Sequence, residues 1–446
     1  MKEQIQLSDH FTYGRLLRFT MPSIGMMIFM SIYSVVDGYF VSNFAGKTPF
    51  AALNLIFPFL MIMATVGFMF GTGGSAIVAK TFGLRDRENA NRYFSLFVYI
   101  AFGLGIILAV ISIVFLHPIA ILLGAEGQLL EDAVLYGRII LIALPFNILQ
   151  MLFQSFFVTA EKPELGLVTT VCAGVANMVL DAVLVIALPQ EYKLAGAAIA
   201  TAASQTLGGV IPLIYFGKKN SSILRLGKTK FEGKVLLKAC INGSSEFMSN
   251  IAMNIVGILY NLQLLKYAGE NGIAAYGVMM YVSFVFSAAF IGYSIGSAPL
   301  FGYHDGAQNH AKLKSLLRKS LILIGIFGVL MVIVAEVLAL PLAKIFVSYD
   351  TRLLELTVSG LQIYALSFLF MGYAIFGSGF FTSLNDGVTS AIISFLRTLV
   401  FQIASVMLLP LIWGIDGIWY SVVAAELMAV VISAVFMVKK RKKYHY

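Results

Sequence analysis

Three polar residues stand out in a chain that is otherwise apolar. Asn177 and Asp181 lie four apart in a long apolar run, which sets both side chains on one helix face. A carboxylate beside an amide oxygen offers hard-oxygen ligands for a small cation, or a hydrogen-bonded seat for a proton. A second acid, Asp37, lies in another apolar run, fifteen residues after Pro22. If Asp37 and Asp181 face each other, two like charges repel in a medium of low dielectric, and taking up H⁺ or Na⁺ relieves them. On this reading Asp37, Asn177 and Asp181 hold a coupling ion, and act as metal ligands only if that ion is Na⁺. Pro22 removes one backbone hydrogen bond from its helix and is the candidate hinge.

A further set of residues suits a cavity wall. Glu246 belongs to a stripe, Asn242, Glu246, Asn250, Asn254 and Asn261, whose steps are mostly three or four residues and so share a face. Glu246, Asn250 and Asn254 are expected to line a cleft. Met26, Met30 and Tyr33 fall near the Asp37 face of their own helix. Flexible thioethers and aromatic rings tolerate apolar cations of varied shape. Arg397 and Glu426 are expected to form a charge pair within one lobe. The two cysteines, Cys172 and Cys240, read as packing residues, and the five histidines form no ligand pattern.

These residues must be positioned by elements that live in a bilayer. Of 446 residues, 59% are hydrophobic and 12% are charged, and mean hydropathy is +0.88. An average soluble domain carries about 25% charged residues. The composition therefore excludes a soluble globular protein, a disordered chain and a basic nucleic-acid binder. Long continuous apolar runs, rather than strict alternation, also exclude a β-barrel. An Asp at the centre of a membrane helix costs about 2.5–3.5 kcal/mol, so the acids inside the runs need a cavity or a partner.

The apolar runs predict twelve spans, at about 16–42, 50–80, 93–117, 134–158, 165–188, 195–216, 236–265, 274–302, 319–342, 357–382, 388–411 and 416–438. Of 31 Lys and Arg, 24 fall at the termini and in the loops after even-numbered spans, six fall on the other side, and Arg397 is inside span 11. The positive-inside rule then places both termini in the cytoplasm of a multi-pass inner (plasma) membrane protein. The net charge of +9 thus reads as topology rather than as an acidic partner.

The two halves repeat at a shift of about 223 residues: Ala45-Gly46 matches Ala268-Gly269, Gly137 matches Gly360, and Phe157 and Thr159 match Phe380 and Thr382. Six spans per half give two parallel lobes about an axis along the membrane normal, an alternating-access architecture. The expected fold is an all-α polytopic membrane protein of twelve helices in two pseudo-symmetric six-helix lobes. Residues 1–216 form the first lobe, 217–235 a cytoplasmic linker, and 236–446 the second lobe. The carboxylate site has no counterpart in the second half, so one ion-coupling site is expected.

The stretches Val36-Asp37-Gly38-Tyr39-Phe40-Val41, Ala176-Asn177-Met178-Val179-Leu180-Asp181 and Gly196-Ala197-Ala198-Ile199-Ala200-Thr201 resemble the multidrug and toxic compound extrusion (MATE) family. The resemblance covers nearly the whole chain. It implies export of small organic cations in exchange for H⁺ or Na⁺, with no other cofactor. It also adds Thr201 to the ion site and assigns Pro22 to the kink of the first span. A monomer in the lipid bilayer is expected, with neither nucleic acid nor ATP as partner: Gly46-Lys47-Thr48 lacks the earlier glycine of a P-loop, because position 41 is Val41.

Other readings share parts of this pattern. A lipid-linked oligosaccharide flippase of the same superfamily would need basic cavity residues, and Arg397 is the one available. A major-facilitator transporter also has twelve spans, and Gly83-Leu84-Arg85-Asp86-Arg87 resembles its loop after span 2. An intramembrane enzyme would need a nucleophile–base pair or a metal set, which no span carries. A channel would not need the asymmetric acids.

Overall fold

The computed structural model describes residues 5–348 and 350–446, except for the side chains at positions 35, 38, 39, 42, 43 and 47. Lys2, counted among the basic residues above, therefore falls outside the described residues, and of Lys47 only the backbone is described. Within them the chain is almost wholly helical; short turns join most helices, and residues 5–12 and 218–232 are non-helical.

In the first half, α1 (Tyr13–Phe40) contains Pro22 and runs into a π-helical turn, Val41–Ala45. Then come α2 (Lys47–Gly83), α3 (Arg87–Leu122), α4 (Gly127–Thr159), α5 (Pro163–Ala187) and α6 (Lys193–Gly217). The second half opens with α7 (Gly233–Gly306), which at 74 residues is far too long for one crossing. Gly269 breaks it with φ 63 and ψ −151, so α7 crosses twice. Next come α8 (His310–Val347) and the pair α9 (Thr351–Ala365) and α10 (Phe368–Ser383), bent by 49° and serving as one crossing. A further crossing is assembled from α11 (Gly387–Phe395), a π turn at Leu396–Val400, α12 (Phe401–Leu408) and α13 (Pro410–Trp413), and α14 (Ile415–Tyr444) completes the fold. The chain therefore crosses twelve times in two lobes.

The repeat shows in the backbone. Gly46 and Gly269, matched by the sequence shift, both take positive φ at the turn between the first two crossings of each half. A left-handed conformation there excludes most side chains, which explains why glycine stands at both places.

Three hydrophobic cores follow from this arrangement. One lies within the first lobe around α4, whose Phe153 and Phe156 pack against Phe94 of α3, and Phe153 also against Phe216 of α6. Another lies within the second lobe around Tyr260, Met279 and Trp419. The third joins the lobes, with Leu7, Phe11, Leu16 and Phe19 packed against Phe301, Leu313 and Leu317. The outer faces stay apolar. Val114 on α3 is 66% exposed and Val337, its repeat mate on α8, is 70% exposed, as faces turned to lipid should be.

The lobes meet most closely near the end that bears the termini. A Cβ added to Gly73 or Gly243 would collide with backbone of the opposite helix at Ala239 and Met69, so α2 and α7 touch main chain to main chain. Gly83 and Gly306 repeat this contact against Tyr303 and Lys80. Lys80 of the first lobe also pairs with Asp305 of the second at 2.8 Å.

Candidate functional site

The site grows from α5. Its buried residues, Gly166, Thr170, Ala173, Gly174, Asn177, Asp181 and Val185, recur at helical spacing and make one face. Asn177 and Asp181 both lie on it, at 1% and 0% exposure. Gly174 lets α1 approach, since a Cβ there would come within 2.5 Å of the Phe29 ring and 2.9 Å of the Tyr33 ring. On the other side, the Ser204 hydroxyl of α6 donates to the Ala173 carbonyl at 2.7 Å, locking α6 against α5.

This packing brings α1, α5 and α6 to one point. Asp37, a half-buried residue on the last turn of α1, lies beside Asp181, Thr201 and Asn177. The Thr201 hydroxyl is 3.4 Å from Asp37 Oδ1 and also 3.1 Å from the Ala197 carbonyl of its own helix. Both carboxylate oxygens of Asp181, and both amide atoms of Asn177, are enclosed and make no protein hydrogen bond. Buried polar groups are nearly always satisfied, so four open atoms in one place mark a seat for something else. The donor set of two carboxylates, an amide and a hydroxyl fits H⁺ or a small hard cation. Among the described residues there is no cluster of three or more His, Cys, Asp or Glu suited to a conventional metal site.

The π turn follows Asp37 within four residues. Such turns often occur at functional sites. The Gln190 amide donates to the Ala45 carbonyl at 2.6 Å, which pins this turn to the α5–α6 connection.

Two features escaped the sequence. Tyr136 of α4 is 3% exposed and adjoins Asp37, Thr201 and Asp181. A lone tyrosine in an apolar span reads as packing, and no local pattern singles it out. Asn147, Gln150 and Gln154 form a buried amide row along α4, with open polar atoms of their own. Their spacing of three and four residues inside an apolar span was a signal of the same kind as the Asn177/Asp181 pair. Gln150 neighbours Tyr33, and the Gln154 amide meets the Met30 sulfur at 2.8 Å.

The other residues separate into groups. Tyr33 and Met30 lie on the inner side of α1, near the amide row. Met26 is 2% exposed and packed in the core between the lobes, against which Met30 also packs. Pro22 sits inside α1, where Ser23 and Ile24 touch Gly292 of the other lobe. Glu246 is half-buried on α7, within Coulombic reach of Arg397. Asn250 and Asn254 share its stripe and return their amide hydrogens to carbonyls of their own helix. Arg397, on the π turn of span 11, grips Glu426 of α14 with two nitrogens, Nε at 2.9 Å and Nη2 at 2.9 Å. None of these second-lobe groups joins the Asp37 cluster.

The MatE family profile matches residues 22–183 and 247–408, one stretch in each lobe. The chain belongs to this family. It is accordingly a membrane transporter and not an enzyme. Among curated relatives, the multidrug export protein MepA of Staphylococcus haemolyticus is 25% identical over 415 residues, covering 93% of this chain and 90% of that protein. MepA of Staphylococcus aureus strain MRSA252 is 24% identical, covering 93% and 91%. Among solved structures, an outward-facing multidrug resistance MATE transporter of the MOP superfamily superposes with TM-score 0.93 at 20% identity, covering 100% and 99%. A MOP superfamily transporter from Pyrococcus furiosus, described as having a binding pocket of reversed polarity, gives 0.91 at 20% identity, covering 99% and 98%.

Proposed function

We propose that this chain is a secondary active multidrug exporter, moving small organic cations outward in exchange for H⁺ or Na⁺ by alternating access. The observation that carries the reading is the convergence of Asp37, Asn177, Asp181 and Thr201 in the first lobe with four buried polar atoms unpartnered. The multidrug export named for the MepA relatives supports the substrate class.

In this mechanism the ion enters between Asp37 and Asp181 and relieves their repulsion. Thr201 and Tyr136 hold the pair in register. Neutralisation changes the packing of α1 against α5, with Pro22 as the flexible point. The cleft then reshapes and the cation leaves outward. Each unit charge moved across 100 mV supplies about 2.3 kcal/mol, enough for roughly 50-fold accumulation. The chain acts as a monomer in the inner membrane, its termini in the cytoplasm.

The flippase alternative is disfavoured by one contact. A pyrophosphate carrier needs free basic groups in the cavity, and Arg397 is committed to Glu426. The test is efflux of a fluorescent organic cation from proteoliposomes under separately imposed pH and Na⁺ gradients. One of the two gradients is expected to drive uphill efflux. Downhill leakage insensitive to both would refute the coupling.

A further inference from the structure

Residues 5–12, which precede α1, are not a tail lying on their own lobe. Leu7 is 0% exposed and Phe11 is 4% exposed, both in the core shared by the lobes. The Leu7 N–H donates to the Glu161 carboxylate of the α4–α5 turn at 2.7 Å. From the second lobe, Lys312 Nζ donates to the Ser8 carbonyl at 2.8 Å and Lys319 Nζ to the Phe11 carbonyl at 2.6 Å. Both lysines belong to α8.

The segment before α7 does the same in mirror order. Residues 222–232 lead into the second lobe yet lie along α3 of the first. The Arg225 N–H donates to Asn91 Oδ1 at 2.7 Å, the Gly227 N–H to the Ser95 hydroxyl at 3.0 Å, and the Thr229 hydroxyl to the Arg92 carbonyl at 2.9 Å. Arg92 also pairs with Glu232 at 3.0 Å. The repeat shift carries α3 onto α8, so each lobe's leading segment grips the equivalent helix of the opposite lobe.

The two grips differ in kind. The one on α3 is built from short side chains against backbone, with an ion pair added. It also lies on the covalent path between the lobes. The one on α8 joins the apolar burial of Leu7 and Phe11 to two lysine ammoniums, compact charges on flexible four-carbon stems. We propose that residues 5–12 are a releasable strap that holds the lobes closed at the terminus-bearing end, while residues 222–232 are a fixed strap about which the lobes turn. Opening at that end requires Ser8 and Phe11 to leave Lys312 and Lys319, and leaves the α3 contacts in place. The idea rests on the alternating-access reading above.

Two experiments test it in a background lacking Cys172 and Cys240. The first reads conformation without transport. Ser23→Cys, at 1% exposure on the lobe seam, reports opening by its rate of maleimide labelling. Combining Lys312→Ala with Lys319→Ala should raise that rate about tenfold, and an unchanged rate overturns the strap. The second uses a cleavable bis-maleimide between Ser8→Cys and Lys312→Cys. It should stop cation efflux until cleaved, whereas the same tether between Arg225→Cys and Asn91→Cys should leave efflux intact. Equal effects of the two tethers would overturn the distinction. If the chain exported no cation at all, the labelling result would still decide the strap, so the two readings fail separately.

Discussion

Gly243→Ala tests whether the glycine seam sets the conformational balance. A Cβ at Gly243 would sit 2.7 Å from the Met69 carbonyl carbon and 2.8 Å from its Cα, and it would also collide with the Met69 carbonyl oxygen. These are backbone atoms in the middle of α2, so no rotamer change relieves the clash. Overpacking of this kind costs about 1–3 kcal/mol. Replacing glycine by alanine inside a helix also gains about 1 kcal/mol of helix stability. That gain is present in every conformation, whereas the clash exists only where the lobes are closed at the terminus-bearing end. The difference therefore falls on the conformational equilibrium, shifting it by about 5- to 150-fold toward the state open at that end. Spin labels at Glu88→Cys and Lys314→Cys, both exposed at that end and in different lobes, read the shift as a longer distance population. Gly277→Ala is the control, because its Cβ would meet nothing within 4 Å and it brings only the helix gain. A distance distribution unchanged by both Gly243→Ala and Gly73→Ala would refute the reasoning.

Asp181→Asn and Asp37→Asn should each abolish gradient-driven efflux with normal membrane expression; vesicle transport in which both retain full rates would remove the ion site from the mechanism. Glu426→Gln should lower stability by about 3–5 kcal/mol, because it strands the buried Arg397 charge, while Arg397→Met with Glu426→Leu should be close to neutral; thermal unfolding in detergent compares them, and equal losses would contradict the pairing. Asp386 caps α11 and is gripped by Tyr444 and Lys440. Burial works to raise its pKa, but the bonds from Tyr444, Thr389 and Lys440 outweigh it and hold the carboxyl below the usual range. A depressed value gives stability that is present above the unfolded value of about 3.9 and is lost as pH falls through the folded one. Melting curves below pH 5 should therefore drop more steeply for the parent than for Asp386→Asn.

Twelve crossings were legible because apolar length and basic flanks are read one span at a time. The repeat was legible because Gly46 and Gly269 occupy the same strained turn. The Asn177/Asp181 face was legible because both residues lie on one helix, and helical spacing fixes their common direction. Tyr136 was not, because its place beside Asp37 depends on how α4 packs against α1 and α6, which no local pattern encodes. Met26 shows the same limit from the other side. Spacing puts it on one face of α1, but that it meets the second half of α7 in the core between the lobes depends on how the lobes pack. The first strap was invisible for a further reason: residues 5–12 are short and mix polar with apolar residues, and their partners lie some 150 and 300 residues away.

The division of charge between the lobes bears on which of them responds to the ion. In the second lobe, Arg397 and Glu426 cancel each other in a buried two-nitrogen grip, with side chains 17% and 3% exposed. A pair so closely satisfied gains nothing from an added proton or cation, and its geometry favours one fixed arrangement of α14 against span 11. The first lobe has the opposite construction. Asp37 and Asp181 lie side by side with no basic residue paired to either among the described residues, and the oxygens of Asp181 are left open. In the second lobe Glu246 also carries charge, but it lies within Coulombic reach of Arg397 rather than beside another acid. The backbone repeat supplies two similar lobes, and on the proposed coupling the unrepeated acids make the first lobe the one that responds to the ion. Under the proposed mechanism, repacking begins at α1 and α5, and the second lobe moves as a passive body against the glycine seam and the straps.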